Sequence, residues 1–252
     1  MAAPFRPSPL FLALVALLAV GGWLAWWESG PQWLGILGVF LFVLAGWVVS
    51  LCLHEYAHAV AAYNGGDRGV AERGYLTLDP MKYTQPVLSI VLPLVFVVLG
   101  GIGLPGGAVW VEHDRLRSRG WDSLVSFVGP AVNLLCAFLL VVPFAVGVDT
   151  FVHVRFWAAL ALLAFLQLTA SILNFLPVPG LDGGNLIEPW LNPQWQRGFR
   201  LVAPYGMLGL FVLLFTPQVN GLFFGFVYAV ANAIGLPSGL VQVGYGLFQF
   251  WR

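Results

Sequence analysis

Long apolar runs separated by short polar breaks fill the chain. They cover residues 10–27, 33–63, 86–104, 124–147, 155–175, 201–215 and, more weakly, 219–236. A bilayer-crossing helix needs roughly 20 such residues, so the pattern predicts about six transmembrane helices. Nothing between Trp33 and Tyr63 breaks a helix strongly, because Gly35, Gly38 and Gly46 are tolerated in a membrane helix. The Gly-rich stretch 237–252 is expected along the interface. Two short stretches read differently. Residues 74–78 alternate and 108–111 are β-prone, which predicts a small membrane-associated β element flanking the 86–104 run. Trp26, Trp27, Trp33, Trp121, Trp190, Trp195 and Trp251 stand at segment ends, as an aromatic belt requires. Residues 10–27 follow Arg6 in the manner of a signal peptide, but no small-x-small cleavage site follows, so a retained first helix is expected.

Composition sharpens this into an all-α polytopic membrane protein. Of 252 residues, 60% are hydrophobic and only 9% charged, where a soluble domain is nearer a quarter charged. No segment is long and polar enough for a separate soluble domain, so residues 1–252 are expected to form one integral-membrane domain in contact with the lipid bilayer. Net charge is zero, which removes the electrostatic case for nucleic acid. Cys52 and Cys136 both sit in apolar runs and read as small buried hydrophobes.

Basic residues decide how the 86–104 run is used. If it crosses, Arg6, Arg68, Arg73, Lys82 and Arg155 lie on one side and Arg115, Arg117, Arg119, Arg197 and Arg200 on the other. If it enters and returns, Arg155 stands alone against the other nine, with Arg252 unplaced in either case. The second division is what the positive-inside rule expects. It predicts a re-entrant segment, an N-terminus in the cytoplasm and a multi-pass protein of the cell membrane. Pro93, Gly100, Gly101, Gly103, Pro105, Gly106 and Gly107 suit a broken segment shielded by protein.

Chemistry concentrates in His54-Glu55-Tyr56-Ala57-His58. On a helix, His54 and His58 face one way. That spacing suits two ligands of one tetrahedral zinc, with Glu55 beside them as general base. A lone His or Glu is often a satisfied core residue, but an ionised Glu within a membrane helix costs a few kcal/mol and usually marks function. A catalytic zinc takes three protein ligands. His113 lies in a charged loop and is expected to be solvated; His153 falls near the opposite end of the bundle. Asp182, the only acid in the Pro- and Gly-interrupted stretch 174–185, is the stronger candidate, with capping of the next helix as its alternative role. The re-entrant topology brings Asp182 to the side of the histidines; a crossing segment would send it away. Asn133, near the start of the 124–147 helix, reads equally as a helix-packing group or as a donor to a substrate carbonyl.

HEYAH, then Gly129-Pro130-Ala131-Val132-Asn133, then the run from Asn174 to Asn185 (NFLPVPGLDGGN), in this order across membrane helices, resembles the site-2 protease family of intramembrane zinc metalloproteases. The likeness covers roughly residues 33–185. It implies one zinc per chain on His54, His58 and Asp182, with Glu55 as catalytic base and Asn133 near the substrate. It implies a three-helix catalytic core from 33–63, 124–147 and 155–175, and transmembrane proteins as substrates. Residues 74–79 with Pro80 are similar to the compact subgroup that lacks accessory domains. Position 180 often carries a larger residue in that family, and its glycine here is expected to matter little. A zinc carrier or an inactive protease-fold interaction protein are the competing readings. Oligomeric state is not legible.

Overall fold

The computed structural model describes residues 6–83 and 109–251. Helix α1 (Pro9–Trp26) starts at Ser8, whose hydroxyl accepts from Phe11 N at 3.1 Å, with Pro9 in the first turn. Helix α2 (Gln32–Gly65) runs 34 residues and stops at Gly66, which adopts φ +129°. A short α3 (Gly69–Glu72) follows. Helix α4 (Arg119–Ala145) is capped by Ser118 and carries Pro130 and Pro143 inside it. Then come α5 (Val154–Asn174), a short α6 (Asp182–Ile187), α7 (Pro193–Leu214), α8 (Pro217–Ala233) and α9 (Ser238–Phe248). Five of these, α1, α2, α4, α5 and α7, are long and apolar enough to cross a membrane, and the α8–α9 pair, bent by 119°, would make a sixth if it acts as one broken span.

Burial follows from composition. Helix α5 is apolar on every side, and nearly all its residues are buried between α2, α4 and α9. Glycines let α1 lie against α2: a Cβ on Gly21 would come within 2.6 Å of Phe42 N, and one on Gly38 within 2.5 Å of Ala25 N. Most of the Gly-rich stretch 237–252 forms α9, which packs on α5 with Val241, Gly244 and Phe248 buried. Gly244 permits this, since a Cβ there would stand 2.3 Å from Ala158 O.

The β element is corrected. Tyr75–Thr77 winds into a 3-10 turn: the Gly74 carbonyl accepts from Thr77 N at 3.2 Å and from Thr77 Oγ1 at 2.6 Å. A strand would send alternate side chains to opposite faces; Tyr75, Leu76 and Leu78 are all buried instead. Residues 109–112 form no ladder either, because the amides of Val109 and Glu112 donate to side-chain carboxylates. No strand occurs among the described residues.

The expected re-entrant segment at 86–104 lies outside the described residues. Its surroundings are described. Arg117 N donates to Gly65 O at 2.9 Å, so the end of α2 and the start of α4 meet. Ser8 N donates to Thr77 O at 2.8 Å, bringing the N-terminal end of α1 to the same end of the bundle. At the opposite end, His153 Nδ1 donates to Trp26 O at 2.7 Å and Arg155 to Trp27 O at 3.1 Å.

Candidate metal centre

Helix α2 presents His54 and His58 one turn apart, both buried. Asp182 reaches them from the first turn of α6, after the chain has left α5 through Pro177, Pro179 and Gly180. The His54 and His58 Nε2 atoms are 3.0 Å apart, and Asp182 Oδ2 lies 3.2 Å from the first and 3.5 Å from the second. Bonds of 2.0–2.1 Å to a tetrahedral zinc imply ligand–ligand edges of roughly 3.3 Å. The three side chains therefore fit one zinc ion, and they are the cluster of metal-binding donors found among the described residues.

The neighbours fix these donors. His58 Nδ1 lies 2.5 Å from Val125 O on α4; donation there leaves its Nε2 lone pair facing the cluster. His54 Nδ1 is buried without a partner among the described residues. Gly129 on α4 leaves room for the donors: a Cβ would come within 2.2 Å of His58 Nε2 and 2.7 Å of His54 Nε2. The Asp182 loop is folded as tightly. A Cβ on Gly183 would meet Phe175 O at 2.4 Å, and one on Gly184 would meet Val178 O at 2.1 Å. At position 180 this chain's glycine suits its backbone: φ is +88°, which disfavours any side chain, and a Cβ would lie 2.2 Å from Ala203 O of α7.

Glu55 is 2% exposed and directed into the same cavity of about 160 Å³. Its Oε2 accepts from Val109 N at 3.1 Å. Asn133 also lines this cavity, buried, with Oδ1 unpartnered among the described residues. The sequence reading missed Ser126, Asn174 and Asn185 as cavity-lining groups. Asn174 carried a usable signal, a polar residue closing an otherwise apolar helix. His113 lies at the cavity wall and pairs with Asp122 at 2.6 Å, a hydrogen bond that raises its pKa above the ordinary imidazole value. It is not in the cluster. His153 is stacked on Trp26 at 3.7 Å, far from the cluster, at the bundle end where the reading put it.

A cluster of three metal donors beside a buried carboxylate, carried on long apolar helices, points to a class, the membrane-embedded zinc metalloproteases. Comparison with known proteins narrows it. The chain is 49% identical over 247 residues to the protein named "Putative zinc metalloprotease Rip2" of Mycobacterium tuberculosis, covering 98% of this chain and 95% of that one. It is 48% identical over the same length to its namesake in Mycolicibacterium smegmatis. It is 30% identical over 199 residues to the similarly named YwhC of Bacillus subtilis, covering 72% of this chain and 83% of that relative. No family model and no solved structure matches the chain. The chain belongs to the site-2 protease-like family of zinc metalloproteases that these relatives represent.

Proposed function

We propose that the protein cleaves peptide bonds within or next to the transmembrane segments of other membrane proteins. The observation that carries this reading is the convergence of His54, His58 and Asp182 beside a buried, cavity-facing Glu55. The two imidazoles and the carboxylate would hold one zinc. Bound there, zinc supplies Lewis acidity to the scissile carbonyl and to the attacking water.

The chain's own residues do the rest. Glu55 takes a proton from the attacking water onto its carboxylate and delivers it to the leaving amine nitrogen. Asn133, across the cavity, donates its amide to the oxygen on which charge develops. A helical substrate hides its carbonyls in backbone hydrogen bonds, so it must unwind before one can enter. Helix-breaking residues near the cut favour that.

The catalytic core is residues 33–185 within a single domain of 1–252. The N-terminus and the site face the cytoplasm in the cell membrane; the isolated Arg155 at the other end supports this orientation. Membership of the compact subgroup is supported by the Rip2 relatives, whose length this chain nearly spans.

Glu55→Gln, tested with zinc-loaded full-length protein and a transmembrane peptide, is expected to lower cleavage by about 10²–10⁴-fold while keeping zinc. Undiminished turnover in a folded variant would refute the assignment. Loss of zinc flux across vesicles, with no proteolysis in either protein, would favour a carrier.

A further inference from the structure

We propose that Asp67 and Arg73 are positioning residues for catalysis. They latch the strap at residues 109–112 so that its first amide orients the Glu55 carboxylate. The inference rests on Glu55 being the catalytic base.

The strap lies across the cavity without belonging to a helix or a strand. Val109 and Val111 line the cavity beside Glu55, and Val109 N donates to Glu55 Oε2 at 3.1 Å. Such a segment takes its position from whatever holds its outer side. Here that is a compact set of polar contacts. Asp67, just past the end of α2, is fully buried. Its Oδ2 accepts from Glu112 N at 2.8 Å, and its Oδ1 accepts from Gly69 N at 3.0 Å. Arg73 donates to Trp110 O at 3.1 Å, pairs with the Glu112 carboxylate, and lies 3.8 Å from Asp67 Oδ2. Arg115 closes the set on Glu112 at 2.5 Å.

The contacts alternate along the strap. The amide of Val109 points to the base, the carbonyl of Trp110 to Arg73, and the amide of Glu112 to Asp67. A buried carboxylate ordinarily requires paired donors. Asp67 spends one oxygen on the turn after α2 and the other on the strap. The same helix thus carries the base on one turn and, just beyond its end, the anchor for the group that orients it. Because Asp67 and Arg73 touch neither the cavity nor the three metal donors, their removal should leave zinc in place and displace the strap.

The test uses full-length, zinc-loaded protein with Arg73→Ala, Arg73→Lys and Asp67→Asn. Arg73 is partly exposed, so its variants remain informative if Asp67→Asn does not fold. Two readouts are taken: steady-state cleavage of a transmembrane peptide, and hydrogen–deuterium exchange of the strap amides. For Arg73→Ala, exchange should quicken at residues 109–112. The value of kcat should fall about ten- to a hundredfold, as misplacement of a catalytic group does, with KM and zinc content little changed. Arg73→Lys keeps the ion pair with Glu112 but not the fork, and should recover part of kcat. Unchanged exchange, an unchanged kcat in a folded variant, or loss of zinc in step with activity would each overturn the inference. If Glu55→Gln retains full activity, the catalytic assignment fails instead, while faster strap exchange would still report the latch.

Discussion

Replacing Gly129 by alanine adds one methyl group where the two imidazoles converge. The new Cβ would stand 2.2 Å from His58 Nε2 and 2.5 Å from His58 Cε1, against the 3.4 Å at which ordinary contact begins. Either the ring retreats by about 1.2 Å or helix α4 does, in a core where overpacking costs roughly 1–3 kcal/mol. Helix α4 cannot withdraw freely. Its Val125 carbonyl accepts from His58 at 2.5 Å, and its Pro130 carbonyl accepts from Ser171 Oγ at 2.9 Å. The ring must give, and a metal site tolerates only about 0.2 Å at each ligand. Zinc affinity should therefore fall by at least about a hundredfold, beyond what altering an outer partner costs, and cleavage should fall with it. The control is Gly225→Ala on α8, where a Cβ meets nothing within 4 Å. It should be neutral, or more stable by up to about 1 kcal/mol. Metal content by mass spectrometry and a chelator-competition titration measure the effect. A Gly129→Ala protein that binds zinc with wild-type affinity would refute the placement of the donors.

Three further outcomes are expected. Chelating the zinc should lower the melting temperature, and adding it back should restore the value: free metal at a hundred times Kd contributes about 2.7 kcal/mol, here by joining α2 to α6. His113 has a raised pKa, so its pairing with Asp122 contributes stability that is full below the ordinary 6.5 and is lost as pH rises through the raised value. The melting difference between wild type and His113→Gln should be largest in acid and vanish in base, and with the ring 55% exposed it should not exceed about 1 kcal/mol. Gly21→Ala would push a Cβ to 2.6 Å from Phe42 N, so separation of α1 from α2 in denaturing detergent should become easier by roughly 1–3 kcal/mol, with zinc content unchanged.

The apolar runs and the metal donors were legible in the sequence for different reasons. Membrane helices announce themselves by length and composition, and His54 and His58 are linked by helical spacing alone. Asp182 needed a topological argument, because its nearness to α2 depends on how many times the intervening chain crosses. What stayed hidden depended on tertiary contacts. Residues 75–78 alternate like a strand, yet Leu78 sits at φ +54° and all the large side chains turn inward. The Gly-rich stretch that forms α9 gave no sign of its packing; of its glycines, Gly244 marks a close approach to α5. The constraint at Gly180 stayed hidden because no local pattern reveals that α7 passes beside it. Asp67 and Arg73 resembled ordinary loop charges, since their partners lie some forty residues further along the chain.

The donors of the cluster are far apart in order of synthesis. Both histidines belong to α2, whereas Asp182 follows α4 and α5 and lies more than 120 residues further along the chain. At about 5–20 residues per second, the imidazoles emerge from the ribosome many seconds before their carboxylate. The nascent chain therefore carries Glu55 and the two histidines through membrane insertion without their third donor, and the cluster can form only once most of the bundle has been threaded and assembled.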